Sequence, residues 1–522
     1  MELNLEKSPS TSVSKEYPTD PESQVAGKNE NAHSIFKLEE DGATSANSSP
    51  PSKDFDNNAT DPRMWTFGKK LPIAMFAISS VFTASFGIPI YIGAVPGVAA
   101  EFHVNATESI LPTCLYAWCL GLGVLLGTAA SEVFGRTIIY RVSLPLILIF
   151  TIVSAIAKNF ATLCAGKALA GIFAGPCLAI GVGVLNDIWN LSVERIGTAF
   201  VFLLGMGVIF ASQASLPAQR ILAPAMVGPM ASHSIVTYHT WQWTIWISVI
   251  MTGILTVVAF FVPETYGPAI LREQARKSGQ PLPSRGSVAS LIITSLFRPM
   301  HMLIVEPIVF PSALVLSVSQ SIIFTYYVAY SLLFKEVYHF TDYQVGLAFA
   351  PLLVGSVIAM PIVAVFDKLT YQKAQQIAIR TGGPPVEPEI RLYPVMLSAI
   401  LLPISLFWFA WTGRPEFHWA VPLTSGILSG IAYVLNMICL TVYNNEVYAM
   451  SYGASVMAGT TFTRFAISSA FPLFTSQMVS KLGFSWAVSL LGFVTVAMMP
   501  IPWVFFKWGP ALRAGSKYLK KK

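Results

Sequence analysis

The chain has 522 residues, of which 54% are hydrophobic and only 11% are charged, and its mean hydropathy is +0.59. Soluble domains carry roughly 25% charged residues, so this composition excludes a soluble globular protein. The charges are also unevenly distributed, because residues 1–64 contain 12 acidic and 6 basic residues whereas the rest contains 27 of the 33 lysines and arginines. The composition predicts an integral membrane protein with a polar, acidic N-terminal segment.

Twelve apolar runs follow this segment. A hydrocarbon core about 30 Å thick requires roughly 20 apolar residues per helix, and a helix satisfies its own backbone in lipid. The runs predict an all-α polytopic membrane protein. Its predicted spans are 70–92, 110–131, 138–158, 161–185, 197–217, 243–262, 305–333, 343–366, 393–412, 418–442, 454–478 and 484–506.

Lysine and arginine accumulate in alternate loops, which predicts that both termini are cytoplasmic. The basic loops follow the second, fourth, sixth and eighth spans, and the C-terminus ends in three lysines. The basic connection after span six divides the chain into two halves of six helices. The predicted organisation is a disordered cytoplasmic tail (1–64), an N-terminal half (65–263), a central cytoplasmic loop (264–300), a C-terminal half (301–508) and a basic cytoplasmic tail (509–522).

The turn between spans two and three has the sequence Ser-Glu-Val-Phe-Gly-Arg at 131–136. Glycine lets the backbone turn tightly. Glu132 and Arg136 can then latch two helix ends together in one conformation and release them in another. The alternative is a surface ion pair that only fixes the topology.

Two basic residues lie inside predicted spans. Lys167 is in the fourth span, which ends in an Asp187-Ile188-Trp189 pattern, and Arg464 is midway along the eleventh. A cation at such depth is costly and therefore indicates a functional site, although Lys167 could instead extend its ammonium group outward. Arginine does not lose its proton, so Arg464 must face a cavity, a partner or backbone carbonyl groups.

Further motifs follow in a fixed order. They are Pro-Glu-Thr-Tyr at 263–266, Phe-Arg-Pro at 297–299, Tyr-Asn-Asn-Glu-Val-Tyr at 443–448 and Phe-Pro-Leu-Phe at 471–474. With the 131–136 turn, they resemble the fungal twelve-span drug:proton antiporters of the major facilitator superfamily, which include polyamine exporters. The resemblance covers about residues 65–516. It implies the major facilitator fold and rocker-switch export of small organic cations, drugs or polyamines in exchange for protons.

The sequence departs from the family pattern at several positions. Lys167 stands where relatives generally have arginine, and Glu446 where aspartate is more frequent. The fifth span lacks the Gly-Pro-x-x-Gly-Pro motif of antiporters, and the nearest candidate, at 224–229, has one extra residue between its prolines. This leaves two alternatives, a local rearrangement of the region or a transport cycle without proton antiport.

Proton coupling requires a titratable group, yet the predicted spans contain acidic residues only near their ends. The candidate coupling or gating residues are Glu132, Arg136, Lys167, Asp187, Glu446 and Arg464. The candidate substrate cavity consists of polar-tipped side chains, on whose aromatic rings a cationic amphiphile could stack. These residues are Gln213, Gln320, Tyr326, Tyr327, Tyr330 and Asn436. Polyamine binding would use buried carboxylates, so their absence from mid-span lowers that expectation.

Three other classes of protein compete with an exporter. A facilitator or proton symporter for a sugar or similar solute is the nearest, and a transporter-like nutrient sensor is another. A membrane enzyme is disfavoured because the sequence has no HExxH motif, histidine box or paired carboxylates at depth. We expect no metal or cofactor, and we expect partners to be a small-molecule substrate, protons and lipid rather than nucleic acid. A monomer in the plasma membrane is expected, with the vacuole or another endomembrane as alternatives.

Overall fold

The computed structural model describes residues 62–188, 224–278, 288–382, 386–448 and 452–519, and their regular structure is helical. The N-terminal set of helices extends to residue 259. It comprises α1 (Phe67–Phe86), α2 (Val95–Phe102), α3 (Ala106–Phe134), α4 (Arg136–Ala155), α5 (Phe160–Ile188), α6 (Pro224–Tyr238) and α7 (Gln242–Ala259). Residues Pro89–Ala94 form a 3-10 segment that joins α1 to α2.

Two helices form the connection, and eleven follow it. The connecting helices are α8 (Gly267–Lys277) and α9 (Val288–Val305). The C-terminal set comprises α10 (Val309–Leu332), α11 (Asp342–Leu347), α12 (Ala350–Phe366), α13 (Lys373–Thr381), α14 (Tyr393–Thr412), α15 (Ala420–Leu435), α16 (Thr441–Tyr448), α17 (Gly453–Ser468), α18 (Phe471–Leu482), α19 (Phe484–Met498) and α20 (Pro500–Gly515). The bundle end that carries Arg136 and Arg391 is called the basic end, and the end that carries Asn105 and Thr341 the opposite end.

Ten helical stretches of the described residues are long and apolar enough to cross a membrane. They overlap ten of the predicted spans. They are Phe67–Phe102, Ala106–Phe134, Arg136–Ala155, Phe160–Leu185, Gln242–Ala259, Val309–Val337, Asp342–Thr381, Pro388–Thr412, Ala420–Tyr448 and Phe484–Gly515. The predicted fifth span, 197–217, lies outside the described residues.

The predicted eleventh span, 454–478, is divided into two shorter helices, α17 and α18. The break lies at Ser469 and Ala470, just before Pro472. Proline has no backbone N–H, and its ring clashes with the carbonyl four residues earlier, which here belongs to Ser468. The sequence therefore contains the cause of the break, although hydropathy alone predicted a continuous helix.

Helix α6 occupies residues that were assigned to no span. It packs on the 3-10 segment at 89–94, where the Gly93 N–H donates to the Ser232 hydroxyl at 2.8 Å. A Cβ atom on Gly228 would lie 2.4 Å from Pro89, so glycine permits the close approach. Helix α6 also packs against α11 of the C-terminal set.

The regions predicted as cytoplasmic loops also contain helices. Helices α8 and α9 lie within or overlap the predicted loop 264–300, and α9 packs on both α3 and α17. The eighth-span helix continues through a π-helical turn at Asp367–Gln372 into α13, which ends at Gly382 with a positive φ of 62°. The basic end therefore carries ordered helices.

The two sets of helices contact each other at mid-depth and nearer the opposite end. Near the middle of α3, a Cβ atom on Gly121 would lie 3.1 Å from the Phe465 Cβ of α17. Nearer the opposite end, a Cβ atom on Gly346 of α11 would lie 3.1 Å from the His233 Cβ of α6. In this conformation the two sets of helices are therefore in contact at both places.

Candidate functional site

Arg136, the first residue of α4, forms an ion pair with Asp187 at the end of α5. Its Nε donates to Asp187 Oδ2 at 2.7 Å, and Nη2 donates to Oδ1 at 3.4 Å. The two side chains are only 15% and 20% exposed. A Cβ atom on Gly183 would lie 2.5 Å from the Arg136 guanidinium, so this glycine gives the arginine its space. The pair joins the basic ends of two predicted spans.

Glu264, in the Pro-Glu-Thr-Tyr segment, caps the N-terminus of α4. Its two carboxylate oxygens accept the backbone N–H groups of Arg136 at 3.0 Å and Thr137 at 3.1 Å. These are among the donors that a helix start leaves without an intrahelical partner, and the negative charge complements the helix dipole. Gly135 has a φ of 95°, and a Cβ atom there would lie 2.8 Å from Glu264. The structure thus accounts for both the Gly-Arg and the Pro-Glu-Thr motifs.

Tyr266 completes this assembly at the basic end. The Arg136 guanidinium carbon lies 5.3 Å from the centre of its ring, a cation–π distance. Burial, with a further contribution from the Glu132 charge, raises the pKa of Tyr266. Its hydroxyl therefore stays protonated at neutral pH, and the ring acts as an uncharged support for Arg136.

Glu132 was paired with Arg136 in the sequence analysis, but the carboxylate that contacts Arg136 is that of Asp187. Glu132 instead accepts a hydrogen bond from the Ser295 hydroxyl of α9 at 3.4 Å. Its contact therefore crosses from α3 to the connection between the two halves. Glu132 and Asp187 lie in the same assembly but bind different helices.

A second ion-pair assembly lies at the basic end of the C-terminal helices. Arg391 contacts Asp367 at 2.8 Å through Nη1 and Glu446 at 2.6 Å through Nη2. Its guanidinium carbon lies 3.8 Å from the centre of the Tyr371 ring. Arg391 precedes the first residues of α14, whereas its two acidic partners follow α12 and belong to α16. The arginine thus joins three helix ends.

The two assemblies occupy equivalent places in the two predicted halves. In each, an arginine opens the third predicted span of the half and binds an acid at the end of the fourth. Glu446 was predicted as a coupling or gating residue, whereas neither Arg391 nor Asp367 was among the predicted site residues. A comparison of the halves at the starts of spans three and nine would have identified Arg391.

Lys167 is buried in α5, with only 2% of its surface exposed. Its Nζ lies 5.3 Å from the centre of the Tyr91 ring and 5.7 Å from that of Tyr116. Both tyrosine hydroxyls donate to backbone carbonyls, those of Ser109 and Ala84 respectively. The side chain therefore points into the protein and does not extend outward.

Arg464 lies beside Tyr433 and Met437, which adjoin the predicted cavity residues Gln320 and Asn436. Its Nη1 contacts the Met437 sulfur at 3.1 Å, and its Nε has no hydrogen-bond partner among the described residues. One helical turn before Met437, the Tyr433 hydroxyl donates to Gln320 Oε1 at 2.8 Å. The structure thus brings Arg464 and Gln320 into one region, between α10, α15 and α17.

Asn436 is buried next to this region and opens a π-helical turn, Asn436–Leu440. Its amide nitrogen donates to the Ser319 hydroxyl at 3.0 Å, and its amide oxygen accepts from the Ser398 hydroxyl. Single π-turns inside helices occur frequently at functional sites. Here the turn places Asn436 and Met437 at adjacent positions between α10, α14 and α17.

The predicted cavity residues Tyr326, Tyr327 and Tyr330 are each no more than 2% exposed. They belong to an aromatic cluster in which Tyr330 contacts Phe349 and Phe409 at ring-centre distances of 5.0 and 5.1 Å. The Tyr326 hydroxyl is bonded to Ser429 at 2.7 Å. In this conformation the three rings pack inside a buried cluster, against which Tyr433 also packs. Gln213 lies outside the described residues.

The family model described as Major Facilitator Superfamily matches residues 77–472. The chain is a member of the major facilitator superfamily. The all-α fold and the family resemblance inferred from the motifs are confirmed, and the family is one of transporters and not of enzymes.

Two relatives place this superfamily member in the fungal drug-exporter group. Polyamine transporter 4 of Saccharomyces cerevisiae is 30% identical over 494 residues, which cover 88% of this chain and 71% of that protein. The major facilitator superfamily multidrug transporter mdrA of Aspergillus fumigatus is 30% identical over 479 residues, which cover 89% of this chain and 75% of that protein.

A solved structure supports the fold of this superfamily member. The crystal structure of the human organic anion transporter MFSD10 (TETRAN) superposes with a TM-score of 0.52. The match covers 83% of this chain and 99% of that chain, at 15% sequence identity. At this identity the likeness concerns the fold alone.

Proposed function

We propose that this transporter exports small organic molecules in exchange for protons by alternating access. Twelve spans in two six-helix halves, with cytoplasmic termini, would form the moving parts. In this arrangement the halves tilt about a central binding region, as in transporters built from repeated halves. The basic end is the cytoplasmic end, because arginine and lysine accumulate there.

The observation that carries this proposal is the pair of equivalent ion-pair assemblies. Arg136–Asp187 and Arg391–Glu446 each join helix ends on the basic side, with contacts at 2.7 and 2.6 Å. Such partly buried pairs hold one conformation and can be exchanged in another. Glu132 adds a contact from α3 to the connecting helix α9. These contacts act as latches of the cytoplasmic side.

Proton coupling in this scheme acts on the latches. Protonation of Asp187 or Glu446 would remove the negative charge that holds the adjacent arginine, so the proton gradient would bias the halves toward one conformation. The spans offer no acid at mid-depth, which supports a coupling carboxylate at a helix end. The same absence disfavours polyamines relative to aromatic drugs as substrates.

Flux measurements in sealed vesicles test the proposal. Vesicles containing the protein receive a pH gradient, and the accumulation of an aromatic drug, supplied in cationic, neutral and anionic forms, and of radiolabelled spermidine is followed with and without nigericin, which collapses the gradient. We expect gradient-dependent accumulation of the drug and less or none of the polyamine. Flux that is unchanged by nigericin would contradict antiport and favour a facilitator. Vesicles without the protein provide the control.

The proposed function also implies a cellular membrane in which the transporter acts. We place the protein in the plasma membrane, where export removes a drug from the cell, with the vacuole as the alternative. Surface labelling of intact cells with a membrane-impermeant biotin reagent distinguishes the two.

A further inference from the structure

Two cations in the transmembrane region have no carboxylate partner in the described structure. Lys167 is 2% exposed, and its charged group lies over the faces of two tyrosine rings. Arg464 is bonded to a thioether sulfur, which is a weak acceptor, and its Nε has no partner. By contrast, Arg136, Arg391 and Arg513 each contact an acid within 3 Å.

The sequence also leaves no acid to neutralise these two cations locally. Helix α5 has no acidic residue before Asp187, and the chain has none after Glu446. The stretch 189–223 contains one, Glu194, which follows shortly after the end of α5. No ion pair among the described residues therefore includes Lys167 or Arg464.

We propose that the transported substrate is an organic anion, an aromatic or apolar molecule with a carboxylate or sulfonate group. This inference rests on the proposed transport function and specifies its substrate class. The anionic group binds Arg464, whose planar guanidinium donates two parallel hydrogen bonds to such a group. Tyr433 lies beside it, and Gln320, which accepts the Tyr433 hydroxyl, provides a further hydrogen-bonding group. Lys167 supplies the second positive charge from the N-terminal half.

The arrangement of the surrounding groups agrees with an amphipathic anion. Ligand sites are mostly apolar, with a few polar groups that fix orientation. Tyr433, Met437 and Phe465 surround the Arg464 head group with ring and thioether surfaces. In a fixed site of this kind an organic cation would meet like charge, which costs affinity. The sequence-based expectation of cationic substrates is therefore replaced in this proposal by anionic ones.

Three probes with one ring system test this inference on the purified full-length protein. They are 2-naphthalenesulfonate, which is permanently anionic, 2-naphthyltrimethylammonium, which is permanently cationic, and neutral 2-naphthalenesulfonamide. Binding is measured by isothermal titration calorimetry and flux in proteoliposomes with an imposed pH gradient. We expect the sulfonate to bind at least about tenfold more tightly than the cation, since a charge-assisted bidentate contact is worth at least that factor.

Charge-removing variants locate the site. Arg464→Gln and Lys167→Gln should each reduce the sulfonate preference about tenfold, and Arg464→Lys should restore part of it. Lys158→Gln and Lys481→Gln remove exposed lysines near helix ends and serve as matched controls. Thermal unfolding of each variant establishes that it is folded. Arg464→Lys keeps the test decisive should Arg464→Gln not fold.

The outcomes separate this inference from the proposed function. Cation binding equal to or tighter than sulfonate binding, an unchanged preference in both variants, or no binding of any probe would overturn the anion site. Gradient-driven flux of the cation alone would leave antiport intact and reject the anion. Sulfonate that binds as expected but moves independently of the gradient would reject antiport and support the anion site.

Discussion

Gly183 illustrates how a residue without a side chain determines the position of a charge. It faces the Arg136 guanidinium so closely that a Cβ atom would lie 2.5 Å from it. Because the neighbour is the end of a flexible side chain, the backbone of α5 does not have to move. A methyl group at this position would therefore displace the guanidinium from Asp187 without disrupting the packing of the helices.

Gly183→Ala consequently tests the latch without removing a charge. We expect transport to fall severalfold, since a hydrogen bond between charged groups contributes about 1.5–3 kcal/mol. Thermal stability should be unchanged or slightly higher, because alanine is favoured over glycine inside a helix by roughly 0.5–1 kcal/mol. Flux and apparent Tm are measured on the same preparation.

Gly253→Ala is the matched control, because its nearest neighbour would be 3.9 Å from the new Cβ atom. It should keep wild-type flux. Equal flux in wild type and Gly183→Ala would show that the Arg136–Asp187 contact does not limit the cycle.

Glu264 acts on the start of a helix and not on a partner side chain. Its carboxylate accepts from four backbone N–H groups, those of Arg136, Thr137, Thr265 and Tyr266. We expect Glu264→Gln to destabilise the protein by about 1–2 kcal/mol, because the amide removes the charge at the helix N-terminus and one acceptor. Thermal unfolding in detergent measures the change.

Glu273→Gln provides the comparison for that measurement. Glu273 is 62% exposed and pairs with Lys277 on the same helix, an arrangement worth only a few tenths of a kcal/mol. An equal loss of stability in both variants would argue against the capping role of Glu264.

At the scale of elements, the segment after α20 is bound to the inner helices. The buried Glu306 accepts the backbone N–H groups of Lys517 at 3.1 Å and Tyr518 at 3.2 Å through Oε1. Its other oxygen accepts the Tyr448 hydroxyl at 2.8 Å. Tyr518 also bonds His301 at 2.7 Å. The segment after α20 thus binds the residue that precedes α10, which in turn binds the end of α16.

Removal of residues 516–522 should destabilise the protein by about 2–5 kcal/mol. The truncation leaves the Glu306 carboxylate buried without its two backbone donors, and each lost charge-assisted bond costs about 1–3 kcal/mol. Removal of 520–522 alone keeps both donors and should have little effect. Differential scanning fluorimetry in detergent compares the two truncations, and equal melting temperatures would contradict the structural role of the tail.

Elements were easier to predict than contacts. The length of an apolar run alone identifies a span, which is why ten predicted spans coincide with helical stretches. The Asp187 partner of Arg136 could not be predicted, because it depends on how closely α5 approaches α4 at Gly183. Likewise, the sequence pattern of a tyrosine on an interior helix face is the same whether the ring lines a cavity or packs in a cluster. Tyr330 packs in a cluster.

At the scale of the molecule, the proposed alternating-access cycle requires the contacts between the two predicted halves to open. Cysteines at 121 and 465 would join α3 to α17, and cysteines at 233 and 346 would join α6 to α11, since each pair has Cβ atoms about 3.1 Å apart. A disulfide needs a Cβ separation of roughly 3.5–4.5 Å, which a small local adjustment provides. We expect either cross-link, formed by mild oxidation in a background without the five native cysteines, to abolish flux, and reduction to restore it.

Cysteines at 97 and 241 are the matched control for these cross-links. Gly97 and Trp241 have the same 3.1 Å spacing, but both belong to the N-terminal half, in α2 and immediately before α7. If the halves move as rigid bodies, this disulfide crosses no moving boundary, and oxidation should leave flux unchanged. The loss of flux must therefore be specific to the inter-half pairs. Full activity of either oxidised inter-half pair would mean that transport proceeds without separation at that contact, which a rocker-switch movement does not allow.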